Sequence, residues 1–330
     1  MPQTSTARLM RATQEFAQAT EKTRAEAGDT VLYLAYGSNM CAETFLGKRG
    51  VRPLSQVNVS APTLKLSFNL SGIPYEEPCF ANVVIRKKLP KLPDGPKFPS
   101  PPPFDPPAYA HGVWDGSLMG VVYEVTREDY AAIIRTEGGG TGYKEIVVPC
   151  VPLPPDVSVG DPSPIPELPR PVLARTLYMP YRLTEGGGGD DDDDDDDDGK
   201  PTRERPLLAR IFGGRQRREP DYAQPSPRYL KLLRDGADEH NLPAAYQRYL
   251  GDLQAYRRTT AMQEIGRVVF LASCGPVILT LMALAQATAY RDGTYRPAVA
   301  TLMNAVFNIL WVAYDCIFKP VFGDGERTQE

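Results

Sequence analysis

Histidine is nearly missing from this chain, with two in 330 residues. The five cysteines (Cys41, Cys79, Cys150, Cys274 and Cys316) are dispersed and contain no C-x-x-C pair. A tetrahedral zinc site therefore has almost no ligands to draw on, and no metal is expected. An odd, scattered set reads as reduced thiols in the cytosol and not as a disulfide framework. No face concentrates Lys and Arg at the density that nucleic-acid binding needs, so no nucleic-acid partner is expected. The first thirty residues hold no apolar run long enough for a secretory h-region, and Glu15, Glu21 and Glu26 weaken a mitochondrial reading. The formal charge of 37 − 41 = −4 misleads, because nine aspartates run from Asp190 to Asp198, and without them the balance is 37 − 32 = +5. Metalloenzyme, secreted disulfide scaffold and DNA-binding module are all poor fits.

What is present is enough chain for one large domain or two ordinary ones. Residues 1–30 form a polar lead-in. From Val31 the pattern changes. Val31-Leu32-Tyr33-Leu34-Ala35 is a short apolar run ending near Gly37, which predicts a buried strand. Further strands are predicted at Leu64–Leu70, Phe80–Arg86, Met119–Val125 and Ile146–Pro152, with another over Leu173–Tyr181. One helix is predicted after Val125, with Thr126 as N-cap and Glu128 and Asp129 in its first turn. Strands with few helices between them predict an α+β fold, or a barrel with helices packed outside, over 31–183. Residues 88–107 are too rich in proline to be anything but a polyproline-type excursion. Residues 184–222 combine glycines, the Asp run and a basic patch, a composition that reads as a disordered insert and solvated spacer. Order resumes over 223–258, where Ser226-Pro227 is a cap-plus-N1 start and Asn241-Leu242-Pro243 separates two helices.

Two segments carry chemistry. Tyr36-Gly37-Ser38-Asn39-Met40 sits where a buried strand ends, and a glycine there lets the backbone turn and present N–H groups to a carboxylate or a developing oxyanion. The plainer alternative is a strand-ending turn. The second segment is Thr136-Glu137-Gly138-Gly139-Gly140-Thr141-Gly142-Tyr143. A glutamate disfavours a helix C-terminus, and the following glycines suggest close approach of a ligand. One reading makes Glu137 a partly buried general base with a raised pKa; the other makes it a surface residue before a C-cap glycine. His111 reads as a loop histidine, Glu124 as solvent-facing, Asp115 as a supporting residue, and Cys41 as an inert buried thiol.

The order strand–YGSN, then a helix ending in Glu-Gly with a following Tyr, then SPRYLKLLRDGADEHNLPAAYQRYL (226–250), resembles the γ-glutamylcyclotransferase family. The similarity runs over roughly Leu32 to Tyr256 and is greatest to the filamentous-fungal branch that includes enzymes of gliotoxin-type toxin clusters. That resemblance implies a small mixed β-barrel flanked by helices. It implies that the α-amino group of a γ-glutamyl substrate attacks its own γ-carbonyl, releasing 5-oxoproline and an amine or amino acid, with no cofactor. It assigns Glu137 as the catalytic acid/base. The binding loop becomes Tyr36, Gly37, Ser38, Asn39 and Met40, with Tyr143 and Tyr181 contacting substrate. The leaving group stays open, including a γ-glutamyl-amine or isopeptide. The competing class is a non-catalytic or membrane-tethered binding protein that reuses the barrel.

The C-terminal region, 259–330, contains a hydrophobic helical pair. Val268–Ala285 has no charge and Ala298–Phe318 has only Asp315. Eighteen residues meet the lower limit for a span. Arg257, Arg258, Arg267 and Lys319 outside the pair, against Arg291 and Arg296 between its halves, place both ends on the cytoplasmic side. A hairpin over 265–318 dipped into or through a membrane is the expectation. The alternative is a pair packed on the barrel or on a second copy, as a homo-oligomer, with Trp311 and Tyr314 in its core.

Overall fold

A computed structural model describes residues 30–86, 114–139, 141, 143–153, 171–179 and 221–329. The lead-in, the 88–107 excursion, nearly all of the 184–222 insert, His111 and Tyr181 lie outside the described residues. The fold is α+β. Among the described residues seven strands come first and most helices gather late in the chain: β1 (Thr30–Ala35), β2 (Ser55–Ala61), β3 (Leu64–Ile73), β4 (Glu77–Ile85), β5 (Leu118–Thr126), β6 (Lys144–Pro152) and β7 (Val172–Tyr178). Five of them close a mixed barrel in the order β1-β5-β2-β6-β7, and β3 and β4 form a separate two-stranded sheet. Every pairing in the barrel is antiparallel except the closing one, where β1 meets β7 in parallel at Tyr33↔Arg175.

Sequence reasoning places all of these strands except β2. Its residues Val57, Val59 and Ala61 alternate with Asn58 and Ser60, and β2 pairs with β5 and β6. β5 lies between β1 and β2 and is buried on both faces. For that reason Glu124 is not solvent-facing. It is 8% exposed and accepts from Thr30 Oγ1 at 3.0 Å and Ser55 Oγ at 2.7 Å, one hydroxyl from each neighbouring strand. Buried carboxylates persist when such donors satisfy them. The barrel core joins Leu34, Val59, Leu118, Val121 and Val125 to Ile133 and Leu233 from the helices outside. Each such side chain contributes about 1.5–3 kcal/mol on burial.

Helix α1 (Arg127–Thr136) starts at Thr126, whose hydroxyl accepts from Asp129 N. Helix α2 (Pro227–Glu239) starts at Ser226, whose hydroxyl accepts from Tyr229 N, and α3 (Ala244–Asp252) follows the Asn241-Leu242-Pro243 break. The C-terminal pair is α4 (Ala261–Thr288) and α5 (Pro297–Ala313), with α5 continuing through a wider turn, Tyr314–Phe318, into α6 (Lys319–Phe322).

The pair is fastened to the domain at both ends. At its base, Trp311 Nε1 donates to Gly72 O, Tyr75 N to Gly325 O, and Tyr75 OH to Gly323 O, while Tyr75, Phe270, Trp311 and Tyr314 share a core. At its tip, Tyr295 N donates to Gly139 O and Tyr295 OH to Arg135 O. A helix of 28 residues is about 42 Å long, so a hairpin passing through a bilayer would carry its tip far from the barrel. Tip and base hold the same domain, and the pair lies along it, the arrangement of the packed alternative. Its outer face remains apolar, since only 28% and 22% of the most apolar stretches of the two helices is buried.

Candidate active site

The end of β1 turns sharply. Ser38–Met40 is one 3-10 turn in which Met40 N donates to Gly37 O and Cys41 N to Ser38 O. The N–H groups of Ser38 and Asn39 take no partner among the described residues. A helix start leaves such donors open. Helix α2 braces this turn from behind. Gly236 brings α2 so close that a Cβ there would stand 2.7 Å from Cys41 N and Met40 Cβ. Glu239 accepts from Ala42 N at 2.7 Å, and His240 Nε2 lies 3.0 Å from Met40 O. Gly-Ala-Asp-Glu-His is thus the part of α2 that fits the loop.

Glu137 reaches the loop from the other side. It is the C-cap of α1, and Glu137 N donates to Ile133 O while Gly139 N donates to Ile134 O at 2.8 Å. That pattern closes a helix with left-handed residues after the cap; Gly138 and Gly139 supply them, at φ +92° and +56°. These two glycines therefore serve the chain's own turn and the close approach of Tyr295, not a ligand as the sequence suggested. The Glu137 carboxylate is 21% exposed, and Oε1 accepts from Asn39 Nδ2 at 2.8 Å and from Arg49 Nη2 at 2.6 Å. Arg49 also donates to the Thr136 hydroxyl.

Asn39 is the joint of the site. Its amide donates to Tyr33 OH at 2.7 Å as well as to Glu137, and its Oδ1 is buried with no partner among the described residues. Burial first, and then the Glu137 charge, hold the Tyr33 phenol above its ordinary range, so it stays protonated. Burial does the same to Tyr229, and Glu137 contributes there too. Tyr229 OH accepts from Ala81 N at 3.1 Å and lies 3.2 Å from where a Cβ on Gly37 would stand. Burial also raises Tyr36, and the Tyr143 phenol adds to the effect.

The residues singled out from sequence thus divide. Ser38, Asn39 and Glu137 converge. Gly37 opens the same turn. Two of the loop's side chains point away from the carboxylate, so these residues could serve a ligand through their backbone, as the resemblance implies. Tyr36 OH donates to Leu177 O at 2.7 Å and ties the loop to β7, and the Met40 side chain is fully buried beneath α2. Cys41 is a buried thiol raised by burial, its Sγ donating to Glu239 Oε1 at 3.6 Å. Arg49, Tyr33 and Tyr229 were not singled out from sequence. Among the described residues no group of three or more His, Cys, Asp or Glu side chains is placed to hold a metal.

Residues 260–321 match the family model described as the AclK C-terminal domain. Over 301 residues the chain is 26% identical to gamma-glutamyl cyclotransferase gliK of Aspergillus fumigatus, covering 90% of this chain and 89% of the relative. Over 134 residues it is 31% identical to gamma-glutamyl cyclotransferase verK of Clonostachys rogersoniana, covering 41% of this chain and 67% of the relative. A solved structure named Gamma-glutamyl cyclotransferase aligns with it at 17% identity and a TM-score of 0.40, over 72% of this chain and 96% of that one. The barrel with a carboxylate at its loop defines the class, and the chain belongs to the γ-glutamylcyclotransferase family. The relatives named here are fungal, which places it beside the gliK-type members.

Proposed function

We propose that the chain is a γ-glutamylcyclotransferase that releases 5-oxoproline from a γ-glutamyl substrate, with Glu137 as general acid and base. The supporting observation is the 2.8 Å contact between Asn39, in the amide-lined turn, and the Glu137 carboxylate. One curled glutamyl group can touch both features. Glu137 takes a proton from the substrate's α-ammonium, and the freed amine attacks the γ-carbonyl carbon. A C–N bond forms and closes the five-membered ring, and the N–H groups of Ser38 and Asn39 receive the oxyanion. Protonated Glu137 then delivers its proton to the departing nitrogen as the old C–N bond breaks, and the carboxylate so freed carries the second proton from the ring nitrogen to the released amine, leaving neutral lactam and an ammonium. No water and no cofactor enters the balance.

The Asn39 Oδ1 acceptor beside Glu137 suits an ammonium, and Arg49 offers its charge to the neighbouring α-carboxylate. Proton transfer of this kind contributes roughly 10²–10⁴-fold, and well-oriented intramolecular attack reaches effective molarities of about 10⁵ M or more. The leaving group we take to be the amine or amino-acid part of a γ-glutamylated secondary metabolite. Incubating the purified full chain with γ-glutamyl amino acids, γ-glutamyl amines and glutathione adducts, and detecting 5-oxoproline, tests the reading. Failure to release 5-oxoproline from every compound would reject it.

The outer face of α4 and α5, with Val268, Val277, Leu279, Leu302, Ile309 and Ile317 each between 46% and 68% exposed, we take to rest on a bilayer from the cytoplasmic side. A contiguous exposed apolar face needs a partner, and helices held flat along a domain fit the plane of a membrane interface. Flotation with anionic vesicles is the expected outcome. Full-length protein that stays monomeric in detergent-free buffer and sediments free of vesicles would rule this out, and a stable dimer there would assign the face to a second copy.

A further inference from the structure

We propose that the tip of the C-terminal hairpin positions Glu137, with Tyr295 as the positioning residue; this deepens the cyclotransferase reading and rests on it. Helix ends leave carbonyls without intrahelical partners. At the end of α1 one of these, on Arg135, accepts the Tyr295 hydroxyl at 2.8 Å. On the far side of the carboxylate, Gly139 O accepts from Tyr295 N, also at 2.8 Å. Arg135 and Gly139 stand two residues before and two after Glu137, so a single residue of the hairpin holds the backbone on both sides of the acid/base.

Two close approaches make the clamp tight. A Cβ on Gly139 would stand 2.2 Å from the Tyr295 ring, so the ring lies directly on that peptide. A Cβ on Gly293 would stand 2.0 Å from Ala131 O, one turn earlier on α1. Gly293 is at φ +87°, within a turn where Gly293 N donates to Tyr290 O and Tyr290 N to Thr294 O. Tyr295 is itself held by Leu281, Ala285 and Met303 inside the helical pair. The pair is anchored at its other end by Tyr75, Trp311 and the 323–326 segment. The chain thus runs rigidly from the base of the hairpin to the turn that carries Glu137, whose carboxylate must meet Asn39 and Arg49 within hydrogen-bond distance. A displacement of about 1 Å at a reacting group costs on the order of 10²-fold in rate. The hairpin is therefore part of the active-site scaffold as well as an apolar surface.

The test uses full-length Tyr295→Ala and Tyr295→Phe with a substrate shown to yield 5-oxoproline. Tyr295→Ala is expected to lower kcat by about 10- to 100-fold, with KM within about threefold of wild type because ground-state binding to the loop persists. Tyr295→Phe keeps the ring on Gly139 but loses the bond to Arg135 O, and is expected to recover part of kcat. Amide exchange at Glu137, Gly138 and Gly139 should quicken in the Ala variant while the barrel strands stay protected. An Ala variant with wild-type kcat and unchanged exchange would overturn the proposal. So would equal losses in the Ala and Phe variants that follow only the unfolded fraction. If Tyr295→Ala does not fold, Tyr295→Leu takes its place, with kcat, KM and amide exchange read in the same way and the same results overturning the proposal. Glu137→Gln, run alongside, separates the two levels: if it stays active, the acid/base reading fails, and the clamp is judged on exchange alone.

Discussion

Replacing Gly236 by alanine sets two physical effects against each other, and the structure decides the sign. In an exposed helix, Gly→Ala stabilises by about 1 kcal/mol through propensity. At position 236 the new Cβ would meet Cys41 N and Met40 Cβ at 2.7 Å and Met40 C at 2.8 Å. Two of these are backbone atoms that cannot rotate away, and the Met40 side chain is fully buried. Overpacking of this kind costs roughly 1–3 kcal/mol, and the upper end applies here. The net expectation is a loss of about 2 kcal/mol, or roughly 4–8 °C in Tm for a folded unit of this size. Because the overlap pushes on the Ser38–Met40 turn, 5-oxoproline release should fall as well, measured well below Tm so that unfolding does not contribute. Thermal melts and initial rates on Gly236→Ala and wild type suffice. A variant as stable as wild type or more so would refute the claim that α2 braces the loop by direct contact.

Arg49→Met removes the charged donor on Glu137 Oε1, a partly buried charge-assisted bond worth about 1.5–3 kcal/mol, and kcat/KM should fall by roughly tenfold or more; an unchanged rate would count against its role. Arg49→Lys should recover little, since an ammonium lacks the planar fork whose two nitrogens reach Thr136 and Glu137 separately. Burial lowers the His240 pKa, with the Met40 carbonyl and Glu239 opposing. The unfolded chain then binds more protons than the native one as pH drops below the ordinary imidazole value of about 6.5, so stability must fall there. Denaturant melts at pH 7.5 and 5.5 should show a smaller drop in His240→Gln than in wild type, and equal drops would contradict the assignment.

Much of the fold could be read from local pattern because it depends on local pattern. Thr126 and Ser226 cap their helices as their side chains dictate, and the apolar runs of β1, β3, β4, β5, β6 and β7 mark strands. β2 escaped because its apolar content is only Val57, Val59 and Ala61. Glu124 misled because a carboxylate in a strand is ordinarily solvated, and nothing local reveals hydroxyls from two neighbouring strands. In the site, Asn39 and Glu137 were legible as unusual residues at chain turns. Arg49, Tyr33 and Tyr229 were not, since each sits in a segment whose composition suits plain structure. The glycines after Glu137 were legible as special and misread in purpose: their partner, Tyr295, lies more than 150 residues later, beyond the reach of any spacing rule. The hairpin has the length and apolarity of a membrane span, and its contacts at Gly139 and Gly72, which no local pattern reveals, lay it along the domain.

The most direct measurement is 5-oxoproline release by Glu137→Gln with the best substrate found for wild type. The amide keeps the size of the side chain but cannot accept and return the proton, so the rate should drop by roughly 10²–10⁴-fold while the folded state and substrate binding persist. A correctly folded variant that retains more than about a tenth of the wild-type rate would contradict general acid–base catalysis by this residue.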